Sequence, residues 1–462
     1  MGAFLSAVKS FNSILWGPPM LVGFIGTGLL MSIRSGFFQL THIKKWMGAT
    51  LGAIFRSKHT RTAGEHSISQ FQALSAALAA CIGTGNIVGV STALCAGGPG
   101  AVFWMVVSAV LGMMTACAEN ILGIKYRYRD SKNEWMGGAM VYMERGLGLK
   151  KTAKVFCVLL VISSLGIGNM TQANSVSQAL GTLFSVNPYI VGAIGAVLVL
   201  AVIAGGIKRI AAAAEKLIPA MTVVFTLACS AVIFKNIRSL PGVISMIFTE
   251  AFSFKAAVGG AAGYGILLAA RYGISRGVFS NEAGLGSSAI IHAAAETDSP
   301  ASQGYWGILE VFLDTVVMCT VTALTVLVSG VWSPGGKLNG VSLCAAAFSS
   351  VFGRAGEYFI CLSVCVFAFA TLIGWSYYGR RGAEYLFGTK SAGLYNLIYS
   401  AAVFFGCVLD LELVWELSDL ANGLMAVPNL ISLCLLSGEA TRELRSDNPS
   451  PLRRHPATLK NF

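Results

Sequence analysis

The stretch Cys81-Ile82-Gly83-Thr84-Gly85-Asn86-Ile87-Val88-Gly89 decides how this chain folds. It lies in the middle of an apolar run at 68–95 that is long enough to cross a bilayer. A glycine in a helix interior costs about 1 kcal/mol relative to alanine. Glycines clustered with polar side chains at mid-membrane therefore favour unwound backbone, which persists only where protein or a polar cavity satisfies its peptide groups. The alternative is close helix packing through small residues.

A second cluster of this kind comprises Gly273-Ile274-Ser275-Arg276-Gly277 and then Gly284-Leu285-Gly286, within an apolar run at 256–287. Here too, unwound backbone competes with small-residue packing as the explanation. Each cluster leads a block of five apolar runs, and because five is odd, the second block crosses the membrane in the opposite sense. A broken helix at the head of each of two inverted blocks is the pattern of a secondary transporter.

The ends of broken helices also indicate what such a site binds. The N-terminus of a half-helix offers backbone N–H groups to an anion. The C-terminus of a half-helix offers carbonyl oxygens to a cation. An amino-acid zwitterion together with a sodium ion matches both features.

The whole chain has the composition of a polytopic helical membrane protein. Of its 462 residues, 55% are hydrophobic and 12% are charged, whereas ordinary soluble domains carry about 25% charged residues. The short alternating segments of a β-barrel are absent. We expect an all-α fold with eleven transmembrane helices, of which one is an extra N-terminal helix and ten form a 5+5 inverted repeat. The expected spans are 13–33, 68–95, 101–123, 155–181, 188–206, 212–234, 256–287, 305–330, 355–378, 393–410 and 413–436.

The distribution of Lys and Arg predicts the orientation of these helices. The formal net charge is +12, and alternate connecting segments hold 24 basic residues against about six in the others. Basic residues favour the cytoplasmic side, which places the N-terminus outside, the C-terminus in the cytoplasm and the chain in the cytoplasmic (inner) membrane. Most of the net positive charge is therefore explained by membrane orientation, and no nucleic-acid partner is needed to explain it.

Four parts of the chain follow from this topology. The first contains the extra N-terminal helix and a basic cytoplasmic loop, the next two are the inverted repeats, and the last is a cytoplasmic tail. Their predicted bounds are 1–66, 67–235, 256–437 and 438–462.

Long, ordered motifs resemble the alanine or glycine:cation symporter family. They are Ser69-Gln70-Phe71-Gln72-Ala73-Leu74, Gly83-Thr84-Gly85-Asn86-Ile87-Val88-Gly89-Val90, Gly168-Asn169-Met170-Thr171-Gln172-Ala173-Asn174-Ser175, Gly374-Trp375-Ser376-Tyr377-Tyr378-Gly379, and the stretches 97–104, 276–287 and 422–430. The likeness runs from about residue 14 to 437. The family is similar in fold to the leucine-transporter type, which has five-plus-five inverted repeats.

The resemblance implies sodium-coupled symport of alanine or glycine and a set of site residues. The implied substrate pocket comprises Thr84, Gly85, Asn86, Gln172, Gly273, Ile274, Thr371 and Trp375. Trp375 would form a wall that leaves room for a methyl side chain, although a tryptophan here also fits a bilayer-interface anchor. Sodium would lie between the carbonyls of Ala79 and Ile82 and the hydroxyl of Thr371.

Other classes of function lack their motifs. No P-loop and no HExxH pattern occurs, and no enzyme cofactor is expected. Gly273-Ile274-Ser275-Arg276-Gly277 matches G-x-S-x-G only formally, because no strand, histidine or acid partner accompanies it. Proton coupling on the same fold remains the main alternative, and an intramembrane enzyme or a channel is the alternative from another class. The intramembrane charges are expected to form gates or structural ion pairs: Glu119, Arg271, Arg276, Glu282, Glu310 and Asp314.

Overall fold

A computed structural model describes residues 2–56, 63–253, 265–297, 299–409 and 412–446. Within these ranges the chain is nearly all helical. The N-terminal part contains two long helices and three short ones: α1 Gly2–Leu15, α2 Pro18–Ser35, α3 Phe38–Thr41, α4 Ile43–Ala49 and α5 Leu51–Arg56.

The remaining helices fall into two groups along the chain. The first group is α6 Gln70–Cys81, α7 Val88–Gly97, α8 Gly100–Tyr126, α9 Ala139–Leu147, α10 Lys150–Leu165, α11 Thr171–Phe184, α12 Pro188–Ile203 and α13 Gly206–Lys235. The second group is α14 Leu240–Ala251, α15 Ile266–Asn281, α16 Ser288–His292, α17 Pro300–Val311, α18 Thr320–Val328, α19 Gly340–Phe352, α20 Arg354–Phe387, α21 Ser391–Val408 and α22 Glu412–Arg445. The predicted tail from 438 therefore begins as helix, because α22 continues to Arg445.

Eight helical stretches of the described chain are long and apolar enough to cross a membrane, and the bent pair α6 and α7 makes a ninth. These nine coincide with nine of the eleven predicted spans. The predicted span at 188–206 is α12, an apolar helix of 16 residues. The predicted span at 256–287 lies partly outside the described residues. The fold is thus a multi-pass helical membrane protein.

A small β-hairpin departs from the all-α expectation. Strands β1 (Tyr128–Arg129) and β2 (Trp135–Met136) pair antiparallel in the loop between α8 and α9. Asp130 forms the turn by accepting hydrogen bonds from the amides of Lys132 and Glu134. The guanidinium groups of Arg127 and Arg129 lie 4.0 and 3.9 Å from the ring of Trp135. Burial lowers the pKa of Arg127 to about 10, which leaves this side chain charged near neutral pH.

The first predicted helix break is present. α6 begins at a capping box in which Ser69 and Gln72 exchange hydrogen bonds of 3.1 Å. It ends at Cys81, and a short 3₁₀ turn at Thr84–Asn86 leads into α7 at an angle of 58°. The glycine-rich stretch therefore unwinds the helix, as its composition predicts.

The second predicted break is only partly correct. α15 runs without interruption through Gly273 and Gly277, so the expected unwinding there is wrong. A Cβ on Gly273 would lie 2.3 Å from the carbonyl oxygen of Ala101, so this glycine allows α15 to pack closely on α8. The chain leaves the helix at 282–287 instead, where Glu282, Gly284 and Gly286 have φ values of +58°, +95° and +78°.

Backbone hydrogen bonds join the start of the first broken segment to the end of the second. The amide of Ile68 donates to the carbonyl of Ala294 at 3.1 Å, and the amide of Glu296 donates to the carbonyl of Ile68 at 2.8 Å. These bonds form a parallel bridge between residues more than two hundred positions apart in sequence. The two breaks are thereby held in one assembly.

Candidate functional site

A narrow enclosed cavity lies at the first break. Its volume is about 10 Å³, close to the minimum that holds one water molecule. Four of the predicted pocket residues line it: Gly85, Gln172, Thr371 and Trp375. The other lining residues are Ala80, Cys81, Gly83, Ile167 and Phe279.

The break takes the usual helical partners from several carbonyl groups, among them those of Ala79 and Ile82. In a continuous helix the amide of Gly83 would donate to Ala79, but here it donates to Oδ1 of Asn86 at 3.0 Å. The amide of Asn86 would donate to Ile82, but it donates to the carbonyl of Gly83 at 3.3 Å. The carbonyls of Ala79 and Ile82 are the two that the sequence assigned to sodium, so the assigned oxygens become available at this turn.

Thr371 of α20 faces the same turn. A Cβ on Gly83 would lie only 2.2 Å from Oγ1 of Thr371, so the absent side chain at Gly83 makes room for this hydroxyl. Thr371 is 2% exposed, and its Oγ1 has no hydrogen-bond partner among the described residues. A buried polar atom without a partner is costly, and a bound cation would supply the missing contact.

Gln172 holds the turn through hydrogen bonds of its side-chain amide. Its Oε1 accepts a hydrogen bond from Oγ1 of Thr84 at 2.9 Å, and its Nε2 donates to the carbonyl of Ile167 at 3.1 Å. Ile167 belongs to a π-helical segment, Gly166–Met170, between α10 and α11. π-Bulges inside α-helices are frequent at functional sites, and this one turns Gln172 towards the break.

Trp375 is a wall of the cavity and lies inside the protein. It is 3% exposed, and its ring packs edge-on against Tyr378 with centroids 5.3 Å apart. A Cβ on Gly168 would lie 2.4 Å from Cβ of Trp375. The indole therefore fits against a glycine of the π-helical segment rather than facing lipid.

Asn86 does not line the cavity and instead connects the break to the second group of helices. Its Nδ2 donates to Oδ1 of Asp314 at 2.8 Å and to the carbonyl of that residue at 3.1 Å. Asp314 also accepts hydrogen bonds from Ser280 at 3.1 Å and Thr315 at 2.7 Å. The carboxylate of Asp314 therefore anchors Asn86, and with it the turn at Thr84–Asn86.

Two further acidic side chains lie next to the cavity wall. Cys81 lines the cavity, and its Sγ lies 3.3 Å from Oε1 of Glu310. Oε2 of Glu310 lies 2.9 Å from Nε2 of His292. Glu282, at the second break, accepts a hydrogen bond from Ser287. The sequence identified these carboxylates as intramembrane charges but gave no sign that folding would group them behind the break, and it did not indicate His292 or Cys81.

Glu119 stabilises the second break. Its Oε1 accepts hydrogen bonds from the amides of Gly284 at 3.1 Å and Gly286 at 3.0 Å. Nδ2 of Asn429 donates to the same oxygen at 2.6 Å. A carboxylate of α8 therefore satisfies amides that the loss of helix exposes.

Gly273 and Ile274 are not brought to the cavity, which corrects the prediction that included them. Because α15 is continuous there, its backbone groups are occupied by helical hydrogen bonds, and Gly273 faces α8. Phe279 is the residue of α15 that lines the cavity. The sequence signal that could have identified Phe279 is an aromatic residue two positions after Gly277.

A much larger, open cavity of about 900 Å³ lies above Phe279. Phe279 lines both cavities and separates them. At the wall of the larger one, Nη2 of Arg276 lies 3.5 Å from Oδ2 of Asp419. The guanidinium of Arg276 also lies 5.5 Å from the ring of Phe279. This vestibule leads from one face of the protein towards the break.

An ion cluster lies near the C-terminal end of α20. The guanidinium of Arg381 donates to carboxylates of Asp130, Glu134 and Glu384 at 3.0, 2.7 and 2.6 Å. Along α20, Cys361 lines the vestibule, Thr371 lines the enclosed cavity, and Arg381 follows about 15 Å later at 1.5 Å per residue. The vestibule and the ion cluster thus lie towards opposite ends of α20.

This arrangement defines a multi-pass membrane transporter with a buried site at a broken helix. The fold is similar to that in the crystal structure of MhsT in complex with L-phenylalanine, with a TM-score of 0.54 at 15% identity, covering 83% of this chain and 99% of that one. This similarity supports a fold of the leucine-transporter type.

The chain belongs to the sodium:alanine symporter family, whose sequence profile matches residues 1–449. It is 43% identical to the sodium/alanine symporter AgcS of Methanococcus maripaludis, over 96% of this chain and 97% of the relative. It is 37% identical to the probable sodium/glutamine symporter GlnT of Bacillus subtilis, over 92% of this chain and 87% of the relative. Membership makes this protein an amino-acid:cation symporter and not an enzyme. It confirms the predicted family and the prediction that the chain is not an enzyme.

Proposed function

We propose that this protein carries alanine or glycine into the cell together with sodium, by alternating access across the cytoplasmic membrane. The observation that carries the proposal is the first break: the carbonyls of Ala79 and Ile82 lose their helical partners there, and the unpartnered hydroxyl of Thr371 lies beside Gly83 at the wall of a small cavity. The vestibule and the Arg381 cluster correspond to an open and a closed side of one pathway.

The substrate carboxylate would bind at the backbone amides of Thr84, Gly85 and Asn86. It would replace the present acceptors of two of them, because the amide of Thr84 donates to Oε1 of Gln172 at 3.4 Å and that of Asn86 to the carbonyl of Gly83 at 3.3 Å. The N-terminal end of α7 begins directly after this turn, and its dipole favours negative charge. Gln172 fixes Thr84, and Trp375 limits the space for a side chain. The cavity of about 10 Å³ would have to widen for any amino acid to enter. The relatives AgcS and GlnT are named for alanine and glutamine.

Sodium would bind the carbonyls of Ala79 and Ile82 and Oγ1 of Thr371. Neutral oxygen atoms suit a monovalent hard cation. The negative end of the α6 dipole also points at this position.

The proposed topology keeps the sequence-based assignment. Eleven spans comprise an N-terminal helix within 1–66 and inverted repeats at 67–235 and 256–437, with the tail at 438–462 in the cytoplasm. The N-terminus lies outside. On this topology the vestibule opens to the exterior, and the ion cluster of Arg381 faces the cytoplasm.

Proton coupling is the second candidate, and one observation favours it. The segments 79–86 and 371–375 contain no carboxylate or histidine, but Glu310 lies against Cys81 and Asp314 against Asn86. Carboxylates inside a membrane are common proton carriers.

Uptake into proteoliposomes of the purified full chain distinguishes the two candidates. We expect accumulation of alanine when an inward sodium gradient is imposed, with no loss when a protonophore collapses the pH gradient. Accumulation driven by a pH gradient alone in sodium-free buffer would identify the proton, and not sodium, as the coupling ion. A competition panel of glycine, alanine, glutamine and leucine then identifies the preferred substrate.

A further inference from the structure

A groove lined by three arginines lies between α2 and α22, far from the transport pathway. It has a volume of about 670 Å³. Arg34 comes from the last turn of α2, and Arg442 and Arg445 come from the last turn of α22. Both helices end their membrane-spanning stretches here, so the groove lies where the hydrocarbon region meets the lipid headgroups.

Among the described residues the three arginines form no close ion pair with an acid, although Glu439, one turn before Arg442, partly offsets the charge of that arginine. Within the described chain, none of their nitrogens lies within 4.0 Å of a carboxylate oxygen. The acids of this part of α22, Glu439 and Glu443, pair with Lys125 at 2.8 and 3.2 Å. The groove therefore holds concentrated positive charge with free hydrogen-bond donors.

The backbone shapes the groove and keeps it open. Nη2 of Arg445 donates to the carbonyl of Arg34 at 2.7 Å, which ties the ends of the two helices together. Gly438 lines the groove floor, and a Cβ there would lie 3.4 Å from Nη1 of Arg34. A larger residue at Gly438 would fill this space.

An apolar strip continues from the groove towards the bilayer centre. Residues 431, 435, 438, 442 and 445 share one face of α22 at helical spacing. On this face Ile431 is 55% exposed and Leu435 is 63% exposed, and Ile33 of α2 beside them is 59% exposed. A charged headgroup site and an apolar strip thus lie in line along the membrane normal.

We propose that this groove binds the phosphate of an anionic phospholipid, whose acyl chain lies along Ile33, Leu435 and Ile431. Arginine forks bind phosphate oxygens in pairs, and basic pockets between transmembrane helices favour anionic headgroups. Free phosphate would use the arginines alone, whereas the apolar strip matches only a lipid. The site is independent of the proposed substrate and coupling ion.

Thermal unfolding of the detergent-solubilised full chain tests the proposal. Added phosphatidylglycerol should raise the unfolding temperature in a saturable way, whereas phosphatidylcholine and inorganic phosphate should not. Arg442→Gln combined with Arg445→Gln should weaken the apparent lipid affinity about fivefold for each arginine removed. Lys151→Gln combined with Lys154→Gln is the matched control, since both lysines are exposed basic residues away from the groove, and it should keep the wild-type shift.

A second variant tests whether lipid binding needs the shape of the groove as well as its charge. Uptake by the same variant shows whether the protein is correctly folded. Gly438→Leu keeps all three arginines and fills the floor, so it should lose the phosphatidylglycerol shift while retaining alanine uptake. Equal shifts with phosphatidylglycerol and phosphatidylcholine would overturn the proposal. So would equal loss of the shift in the lysine control, or an equal shift with inorganic phosphate, which would identify a free anion as the ligand.

Discussion

Nδ2 of Asn86 donates a 2.8 Å hydrogen bond to Oδ1 of Asp314, although 228 residues separate them in sequence. The bond joins the unwound turn of the first broken helix to the π-helical segment Phe312–Cys319. Asn86 also caps the turn through Gly83. The turn at which we propose that substrate and sodium bind is therefore held in part by contacts between the two groups of helices.

This contact predicts energetic coupling between Asn86 and Asp314. Asn86→Ala and Asp314→Ala should each reduce alanine uptake, and the double variant should be little worse than the more damaging single variant. The coupling expected for a buried hydrogen bond to a charged group is about 1.5 to 3 kcal/mol. A double-mutant cycle on uptake rates, corrected for the amount of inserted protein, measures it. Strictly additive losses would mean that the two side chains act independently.

Gly83 should tolerate no side chain. Gly83→Ala would push a methyl group against Oγ1 of Thr371, because the built Cβ lies 2.2 Å from that atom. We expect uptake to be abolished while membrane insertion is retained. Gly89→Ala is the matched control, since nothing lies within 4 Å of a Cβ there. Near-normal uptake by Gly83→Ala would contradict the assigned position of Thr371.

Gly85 should distinguish a small side chain from a large one. A Cβ there would lie 3.4 Å from Cα of Ser280 and 3.5 Å from the ring of Phe279, which is ordinary contact. Gly85→Ala should therefore keep measurable uptake, whereas Gly85→Leu should fill the cavity and abolish it. Uptake assays with surface-accessibility labelling separate transport from insertion. If the leucine variant transports alanine normally, the carboxylate does not bind at this turn.

Trp375 should control substrate size. Trp375→Leu enlarges the cavity, so amino acids bulkier than alanine should compete better relative to glycine. Gly168→Ala should act in the opposite direction, because its Cβ would displace the indole into the cavity. Gly181→Ala is the control, because a Cβ there would lie an ordinary 3.9 Å from the carbonyl oxygen of Val186. An unchanged competition profile in both variants would remove Trp375 from the selectivity wall.

Thr371 should contribute to sodium affinity. Thr371→Val keeps the shape and removes the unpartnered hydroxyl, so the sodium concentration for half-maximal uptake should rise about tenfold, corresponding to one lost polar contact. Thr322→Val is a matched control, because that buried hydroxyl donates to the carbonyl of Met318 within its own helix. Sodium titrations of alanine uptake supply the measurement. A normal sodium dependence in Thr371→Val would exclude the hydroxyl as a ligand.

The sequence alone determined the class of protein and the first break. Apolar runs of membrane-spanning length have few structural solutions, because every peptide group in the hydrocarbon region must be satisfied within the protein. In the stretch from Gly83 to Gly89, glycines and polar residues occur together at mid-span, and this local composition was enough to predict the bend. The motifs around it were enough to predict the family.

Tertiary structure alone decided which glycines unwind and which pack. Gly273 and Gly284 belong to the same apolar run, yet the first packs on Ala101 within a helix and the second adopts φ +95°. The difference arises from partners that are distant in sequence. The carboxylate of Glu119 accepts a hydrogen bond from the amide of Gly284, whereas Gly273 faces the backbone of α8. Local sequence specifies what a glycine permits. Only residues brought in from other helices decide whether the released peptide groups are satisfied, and so whether the helix breaks.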